Sequence, residues 1–420
     1  MNNKQFIQPR PLFGTIVPRS KQPDPAEKPK PSPATAIQAY LASFPAELDV
    51  AVDYSIVTRF LMSYSDNAST LRVYRAFVER LLLWSWIERG RSVLRLVRSD
   101  AEDFMRFNKA PPKDWIGVAT RHRFLPGGDG LVFNLEWRPF SFQRKRSGET
   151  GDAGEYNAPH ATLQLIFSSC TTFYSFLNVE GHRIGNPFSA IKQKGKLIGS
   201  KPEQRDSKSL TQLEWEFLLE TAEMMANEDS KYERTLFIIV ALFSMYLRIG
   251  DLAGNEGWQP TMGSFSHRSG NWWYATSGKG GKKASITVKP AFLPFLKRYR
   301  ASRNLTPLPA RGETTPLLTA HNGRGGLGAR HIRTLVQEVF DRALARMQAE
   351  GRTEEECRQL QDATVHWLRH TGATFDAPFR PAKHLQLDLR HASLNTTQDI
   401  YYNSIDEERA ASSHGLGIRR

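Results

Sequence analysis

The sequence predicts a mainly α-helical protein with one small antiparallel β-sheet, and three observations lead there. Apolar residues recur at helical spacing through most of the chain, as in Leu71, Tyr74, Phe77, Val78, Leu81, Leu82 and Trp84. Strand-like alternation is concentrated around Trp272 to Val288, where two runs flank the glycine-rich turn Ser277-Gly-Lys-Gly-Gly-Lys-Lys283. At 420 residues the chain also exceeds what one hydrophobic core usually organises, so two domains with tails are expected.

Taken in order, residues 1–36 are rich in Pro, Lys and Gln, with few apolar residues to seed a core, and read as a disordered basic arm. Residues 37–195 read as a helical domain. Ser69 and Thr70 are candidate caps for the helix carrying the Leu71–Trp84 stripe, with Arg72, Arg75, Glu79 and Arg80 expected on its outer face. Further helices are expected near Ser99–Phe107 and Ala161–Leu177. Between them, residues 108–159 are polar, glycine-dotted and aromatic, which suggests a functional insertion or a mobile loop, with Arg144-Lys145-Arg146 able to meet a phosphate backbone. Residues 196–208 are basic and poor in large apolar side chains, as a linker would be. A second domain, 209–405, starts at the capping box Thr211-Gln-Leu-Glu214. It continues through the apolar run Leu236–Leu247, the hairpin, and helices near His331–Gln348, Thr364–Phe375 and Asn395–Tyr402. Residues 406–420 form a C-terminal tail.

Composition narrows the chemistry. The chain carries 57 Lys+Arg against 43 Asp+Glu, a net charge of +14, which favours a polyanionic partner through steering and counterion release. Cys170 and Cys357 are its two cysteines and form no CxxC pair, which argues against a disulfide framework or a cysteine zinc site and suits a reducing cytoplasm. The N-terminus lacks the apolar core of a signal peptide, and no run approaches membrane-spanning length.

The densest chemical signal lies near the C-terminus. His366-Trp-Leu-Arg369-His370-Thr371 is followed by Arg390-His391 and then by Tyr401-Tyr402. An arginine flanked by two histidines on one helical turn offers bidentate and point-charge hydrogen bonds to a phosphodiester, and a tyrosine hydroxyl can attack phosphorus; together they suggest metal-free strand cleavage. Each part has a plainer reading. Arg248, after the apolar run, fits a helix-end cation favoured by the dipole. The Gly-Lys-Gly-Gly-Lys-Lys turn does not match GxxxxGK[ST] and joins strands, which argues against a nucleotide loop. His366 and His370 have the spacing of zinc ligands, but Trp367 stands where the metalloprotease pattern needs its glutamate. Tyr401 and Tyr402 are adjacent and must point in different directions on a helix.

In chain order these residues run Arg, Lys on a hairpin, His-x-x-Arg, His, Tyr, and the chain resembles the tyrosine recombinase family, the phage integrases and Xer-type recombinases. The resemblance covers the second domain, above all His366-x-x-Arg369-His370-Thr371 and Leu389-x-His391-Ala-Ser-Leu-x-Thr-Thr, and extends more weakly to Ser69–Trp84, which looks like the first helices of a core DNA-binding domain. It implies a helical core-binding domain followed by a mixed α/β catalytic domain. It implies that Arg248 and Arg369 clamp the scissile phosphate and that Lys279 protonates the leaving 5′ oxygen. His366 and His391 would bond the phosphate and assist proton movement, and Tyr401 would form a 3′-phosphotyrosyl ester. Asp251 would orient an arginine, with His370 and Tyr402 as supporting or alternate residues. Two departures stand out. Arg390 occupies a position that is usually glycine, and Asp399 adds a residue before Ile400, so strict spacing falls on Ile400 while the Ile-Tyr pairing favours Tyr401 over Tyr402. Lys282 and Lys283 compete with Lys279 on the same turn.

The implied function is site-specific recombination for a mobile element or phage, through a Holliday junction in a homotetramer on double-stranded DNA. The resemblance implies no cofactor, no metal and no ATP, and leaves room for a partner recombinase or accessory protein. A catalytically silent DNA-binding accessory protein and a type IB topoisomerase are the alternative readings.

Overall fold

The apolar stripes become helices whose ends differ from the expected ones by a few residues. The computed structural model describes residues 7–14, 16, 31–128, 130–141, 156, 158–199, 208–255, 257–278, 283–320, 323 and 325–402. It divides into two compact units, 1–203 and 204–420.

The first unit contains α1 (Ala34–Leu41), α2 (Val50–Met62), α3 (Ala68–Ile87), α4 (Arg98–Lys109), α5 (His160–Val179) and the short α6 (Lys194–Ile198). α3 is capped by Asn67, whose side chain accepts from the Thr70 amide at 3.2 Å, rather than by Ser69 or Thr70. Glu79 and Arg80, expected on the outer face, are only 2% and 7% exposed. The reason for burying Glu79 lies in the N-terminal segment. Leu12 and Phe13 are fully buried in the core of this unit, so their amides need internal acceptors, and Glu79 Oε1 supplies both at 2.6 and 3.2 Å. Arg123 pairs with the same carboxylate and donates to the Phe13 carbonyl at 3.0 Å.

Residues 7–14 are therefore part of the fold, which corrects, for these residues, the expectation of a disordered arm over 1–36; two apolar side chains preceded by prolines suffice once a buried carboxylate receives their backbone. The aromatic stretch after residue 108 is likewise anchored. Trp115, Trp137 and Phe140 enter the core, and two small strand pairs form: β1 (Ile116–Gly117) parallel to β4 (Phe140–Ser141), and β2 (Phe124–Gly127) antiparallel to β3 (Gly130–Phe133). Arg144, Lys145 and Arg146 lie outside the described residues. At the expected linker, Leu197 and Ile198 of α6 pack on the core of this unit, so the start of 196–208 is folded.

The second unit is built around α8 (Glu233–Ser244), buried on all sides. Around it pack α7 (Gln212–Glu228), α10 (Leu293–Ala301), α11 (Ala329–Ala349) and α13 (Val365–Asp376). The capping box forms as the sequence predicts: the Glu214 amide donates to Thr211 Oγ1 at 3.2 Å, and the Thr211 amide donates to Glu214 Oε2 at 2.8 Å. The other Glu214 oxygen accepts from the Leu360 amide at 2.7 Å, tying α12 (Arg358–Asp362) to α7. α13 approaches α8 so closely that a Cβ at Gly372 would sit 2.1 Å from the Phe243 carbonyl oxygen; glycine is a packing requirement there.

The sheet has three strands in the order β5 (Phe265–Arg268), β6 (Asn271–Ser277), β7 (Lys283–Thr287), all antiparallel, with Tyr274 paired to both Phe265 and Ile286 on the buried face. The sequence pattern showed β6 and β7; β5 is too short to display an alternation of its own. α14 (Ala382–Leu389) is held to β7 through Asp388, whose carboxylate accepts the Thr287 amide and hydroxyl and pairs with Arg380. α15 (Leu394–Thr397) runs into a π-helical turn, Gln398–Tyr402. Among the described residues no helix is long and apolar enough to cross a membrane.

Candidate active site

Four segments of the second unit bring the singled-out side chains together. The first is the break after α8. The helix stops at Ser244, and Tyr246 adopts a left-handed conformation (φ +50°) before Arg248 leads into α9 (Ile249–Ala253). Arg248 thus precedes a helix instead of ending one, so the helix-dipole reading does not apply to it. Its amide donates to Asp251 Oδ2 at 2.7 Å, which fixes the turn.

The second segment is α13. Arg369 is 2% exposed and donates to two backbone carbonyls, those of Tyr246 and Leu389. Arg248 also reaches the Leu389 carbonyl, at 3.2 Å. Two guanidinium groups therefore converge on one neutral oxygen. Burial, and then Arg248, push the Arg369 pKa down; burial, and then Arg390, do the same to Arg248. One turn apart on the same helix, His366 is exposed and His370 half-buried, with their rings edge to face at 4.6 Å.

The third segment is the end of α14. Arg390 is left-handed (φ +53°), a conformation that costs most non-glycine residues roughly 1–2 kcal/mol. Here the side chain has a use: it pairs with Asp251, which is buried and also accepts from Thr276 Oγ1 at 2.7 Å. This residue departs from the glycine of the family pattern, and its partner was beyond reach of the sequence because the two lie 139 positions apart. His391 follows, its Nδ1 2.9 Å from Thr397 Oγ1.

The fourth segment is the π-helical turn. Tyr401 packs on the small cluster of Tyr246, Ala373, Ala377, Leu385 and Leu389, with its hydroxyl 2.7 Å from His370 Nδ1 and its ring nearly parallel to His391 at 6.3 Å. Burial raises the Tyr401 pKa to about 12 despite the opposing pull of Arg369 and Arg248. Burial, then His366 and Arg369, lowers His370 to about 4; burial, then Arg369 and Arg248, lowers His391 to about 4. Both imidazoles are neutral at pH 7.

Arg248, Asp251, Arg369, His370, His391 and Tyr401 are thus neighbours, with His366 beside His370. Lys279 and Lys282, which fall between β6 and β7 in the sequence, lie outside the described residues, while Lys283 opens β7 and is exposed. Tyr402 is described only as backbone at the end of the π turn. Sequence reasoning missed the carbonyls of Tyr246 and Leu389, because no side-chain signal marks a backbone acceptor. Chemically, the site presents two guanidiniums and neutral imidazoles around a phenol, a set suited to an oxyanion and a proton transfer. Among the described residues no group of three or more His, Cys, Asp or Glu is placed to hold a metal.

No family model matches the chain, and no curated protein does. Solved structures do. The XerH site-specific recombinase bound to palindromic difH substrate in a post-cleavage complex is 16% identical, with 82% of this chain and 79% of that one covered and a TM-score of 0.51. The Tn1549 transposon integrase in complex with transposon right end DNA is 15% identical, with 86% and 98% covered and a TM-score of 0.53. The chain has the fold of these tyrosine recombinases, mainly helical with small sheets.

Proposed function

We propose that this protein is a tyrosine site-specific recombinase of a mobile element or phage, which breaks and rejoins double-stranded DNA through a 3′-phosphotyrosyl ester. One observation carries the reading. Arg248 and Arg369, 121 positions apart, converge on the Leu389 carbonyl within the same cluster that seats Tyr401. One neutral carbonyl does not balance two guanidiniums, so the pair keeps positive charge in reserve for an anion.

On this reading the remaining N–H groups of Arg248 and Arg369 hold the non-bridging oxygens of the scissile phosphate and stabilise charge in the pentacoordinate transition state. His366, exposed beside them, and His391 add hydrogen bonds to the same group. Tyr401 Oη attacks phosphorus, and a lysine of the β6–β7 turn, Lys279 by its place in the family pattern, protonates the departing 5′ oxygen. Asp251 fixes the Arg248 backbone and pairs with Arg390, so it organises the clamp without touching substrate. The bond energy is kept in the ester, so rejoining by a 5′ hydroxyl needs no nucleotide. Strand exchange would run through a Holliday junction in a homotetramer, with a partner recombinase or accessory protein where the site requires one.

The test begins by selecting bound duplexes from a random pool with the full chain. A nicked suicide duplex carrying the recovered sequence should then trap a covalent protein–DNA adduct. Tyr401→Phe should abolish the adduct and Tyr402→Phe should retain it. Adduct persisting in Tyr401→Phe would overturn the nucleophile; wild-type protein that binds but never forms adduct would favour a silent accessory protein. Relaxation of arbitrary supercoiled plasmid would favour the topoisomerase reading.

A further inference from the structure

We propose that His370 is the base that takes the Tyr401 proton as the phenol attacks phosphorus, an inference that rests on the recombinase reading above. The resemblance left His370 a supporting or alternate residue. Its geometry does: among the described residues, His370 Nδ1 is the side-chain atom hydrogen-bonded to the Tyr401 hydroxyl, at 2.7 Å. A general base has to reach the proton it removes, and this distance satisfies that condition before substrate arrives.

The neighbouring imidazoles are oriented for other tasks. His391 lies nearly parallel to the Tyr401 ring at 6.3 Å, and its Nδ1 is engaged with Thr397 Oγ1. His366 stands edge to face with His370 and opens to solvent, where a phosphate oxygen would lie. With its Nε2 protonated, neutral His370 presents Nδ1 as acceptor, and the Tyr401 O–H donates to it.

The step balances as follows. The Tyr401 Oη–P bond forms while the Tyr401 proton passes to His370 Nδ1, giving an imidazolium. The P–O5′ bond breaks, its electron pair stays on O5′, and that oxygen takes a proton from the separate donor on the β6–β7 turn. Rejoining reverses both transfers. The groups facing His370 are His366, Arg369, His391 and Lys208, and those facing Tyr401 are Arg369 and Arg248; all are cationic or able to become so. They hold the resting imidazole neutral and poorly basic. A bound phosphodiester offsets that field, and the negative charge growing on it in the transition state does so further, so His370 gains basicity when the reaction needs it.

The experiment is single-turnover adduct formation on the nicked duplex, with an ordinary and a 5′-bridging phosphorothiolate scissile group. A sulfur leaving group requires no protonation, so a defect in the acid is rescued and a defect in the base is not. His370→Ala should slow the reaction about 10²-fold or more on both substrates, within the range for lost general-base catalysis. His370→Asn, which keeps an acceptor for the phenol and cannot take the proton, should be equally slow. Wild-type rates in His370→Asn, or rescue of His370→Ala by sulfur, would overturn the proposal while leaving the recombinase reading intact. Absence of adduct with wild-type protein would overturn both. Unchanged duplex affinity in the variants separates these outcomes from misfolding.

Discussion

Two buried arginines, one in each unit, show what separates a structural charge from a working one. Arg80 in the first unit donates to Asn108 Oδ1 at 2.9 Å and to the Pro139 carbonyl at 2.7 Å, with its guanidinium 3.8 Å from the centre of the Phe140 ring. Arg369 in the second unit also bonds only neutral oxygens among the described residues, those of Tyr246 and Leu389. The acceptors are equivalent; the surroundings differ. Arg80 lies among an aromatic ring, an amide, Tyr156 and Cys170, with Glu79 favouring its charge and no cation among the described residues opposing it, whereas Arg369, although Tyr401 and Asp251 favour its charge, faces the guanidiniums of Arg248 and Arg390. Burial of a guanidinium therefore identifies nothing by itself. Neighbouring guanidiniums held against their mutual repulsion are what suit this place to an anion.

That contrast is most exposed to test by substituting both residues. Arg369→Ala should lower the adduct rate about 10²–10³-fold, the usual loss for one donor to a developing oxyanion, with a small change in melting temperature because relief of repulsion offsets the lost carbonyl bonds. Arg80→Met should do the reverse. Leaving Asn108 and the Pro139 carbonyl without their donor should cost about 1–3 kcal/mol in urea unfolding, with an unchanged adduct rate per folded molecule. If Arg80→Met removed cleavage while the protein stayed folded, the distinction between the two arginines would fail.

A smaller effect comes from pH. His370 and His391 are held near 4, below the ordinary histidine value of about 6.5, so between these values the unfolded chain binds more protons than the folded one. Stability should therefore fall as pH drops from 6.5 toward 4, as thermal melts across that interval can follow. An anion at the cluster should raise both values. Binding of the selected duplex near pH 5.5 should then take up protons, visible in calorimetry as a binding enthalpy that varies with the ionisation enthalpy of the buffer. Burial, then Arg369 and Arg248, also lowers His366, so the uptake should fall in a His370→Asn/His391→Asn variant and vanish when His366→Asn is added.

Much of this was legible in the sequence because the relevant signals are local. The Thr211–Glu214 capping box, the β6–β7 pair and the helix bearing His366, Arg369 and His370 each declare themselves within a dozen residues. The misses involve distance. Leu12 and Phe13 look like isolated apolar residues in a proline-rich tail until Glu79 and Arg123 receive their backbone. Glu79 and Arg80 look like surface charges because periodicity assigns every charge to the outer face and cannot see a partner from elsewhere in the chain. Tyr246 and Leu389 act through carbonyls, which side-chain patterns do not encode.

Arg390 gives the smallest and most discriminating comparison, since it is a cation of the same cluster that does have a carboxylate. Replacing it by glycine relaxes the left-handed backbone, a gain of about 1–2 kcal/mol, but leaves the buried Asp251 without its charged partner, a loss of about 3–5 kcal/mol, so stability should fall by about 1–4 kcal/mol. Catalysis should respond differently. Asp251, still buried and bonded to Thr276 and the Arg248 amide, would turn its free charge toward the Arg248 guanidinium and compete with phosphate for it. Arg390→Gly should therefore slow adduct formation several-fold and weaken its dependence on duplex concentration little, while Arg390→Gly/Asp251→Asn, which removes the competing charge, should recover most of the rate. Equal rates in the single and double variants would mean that Arg390 serves the backbone turn alone, and that pairing with a carboxylate has no bearing on how much positive charge the cluster keeps available.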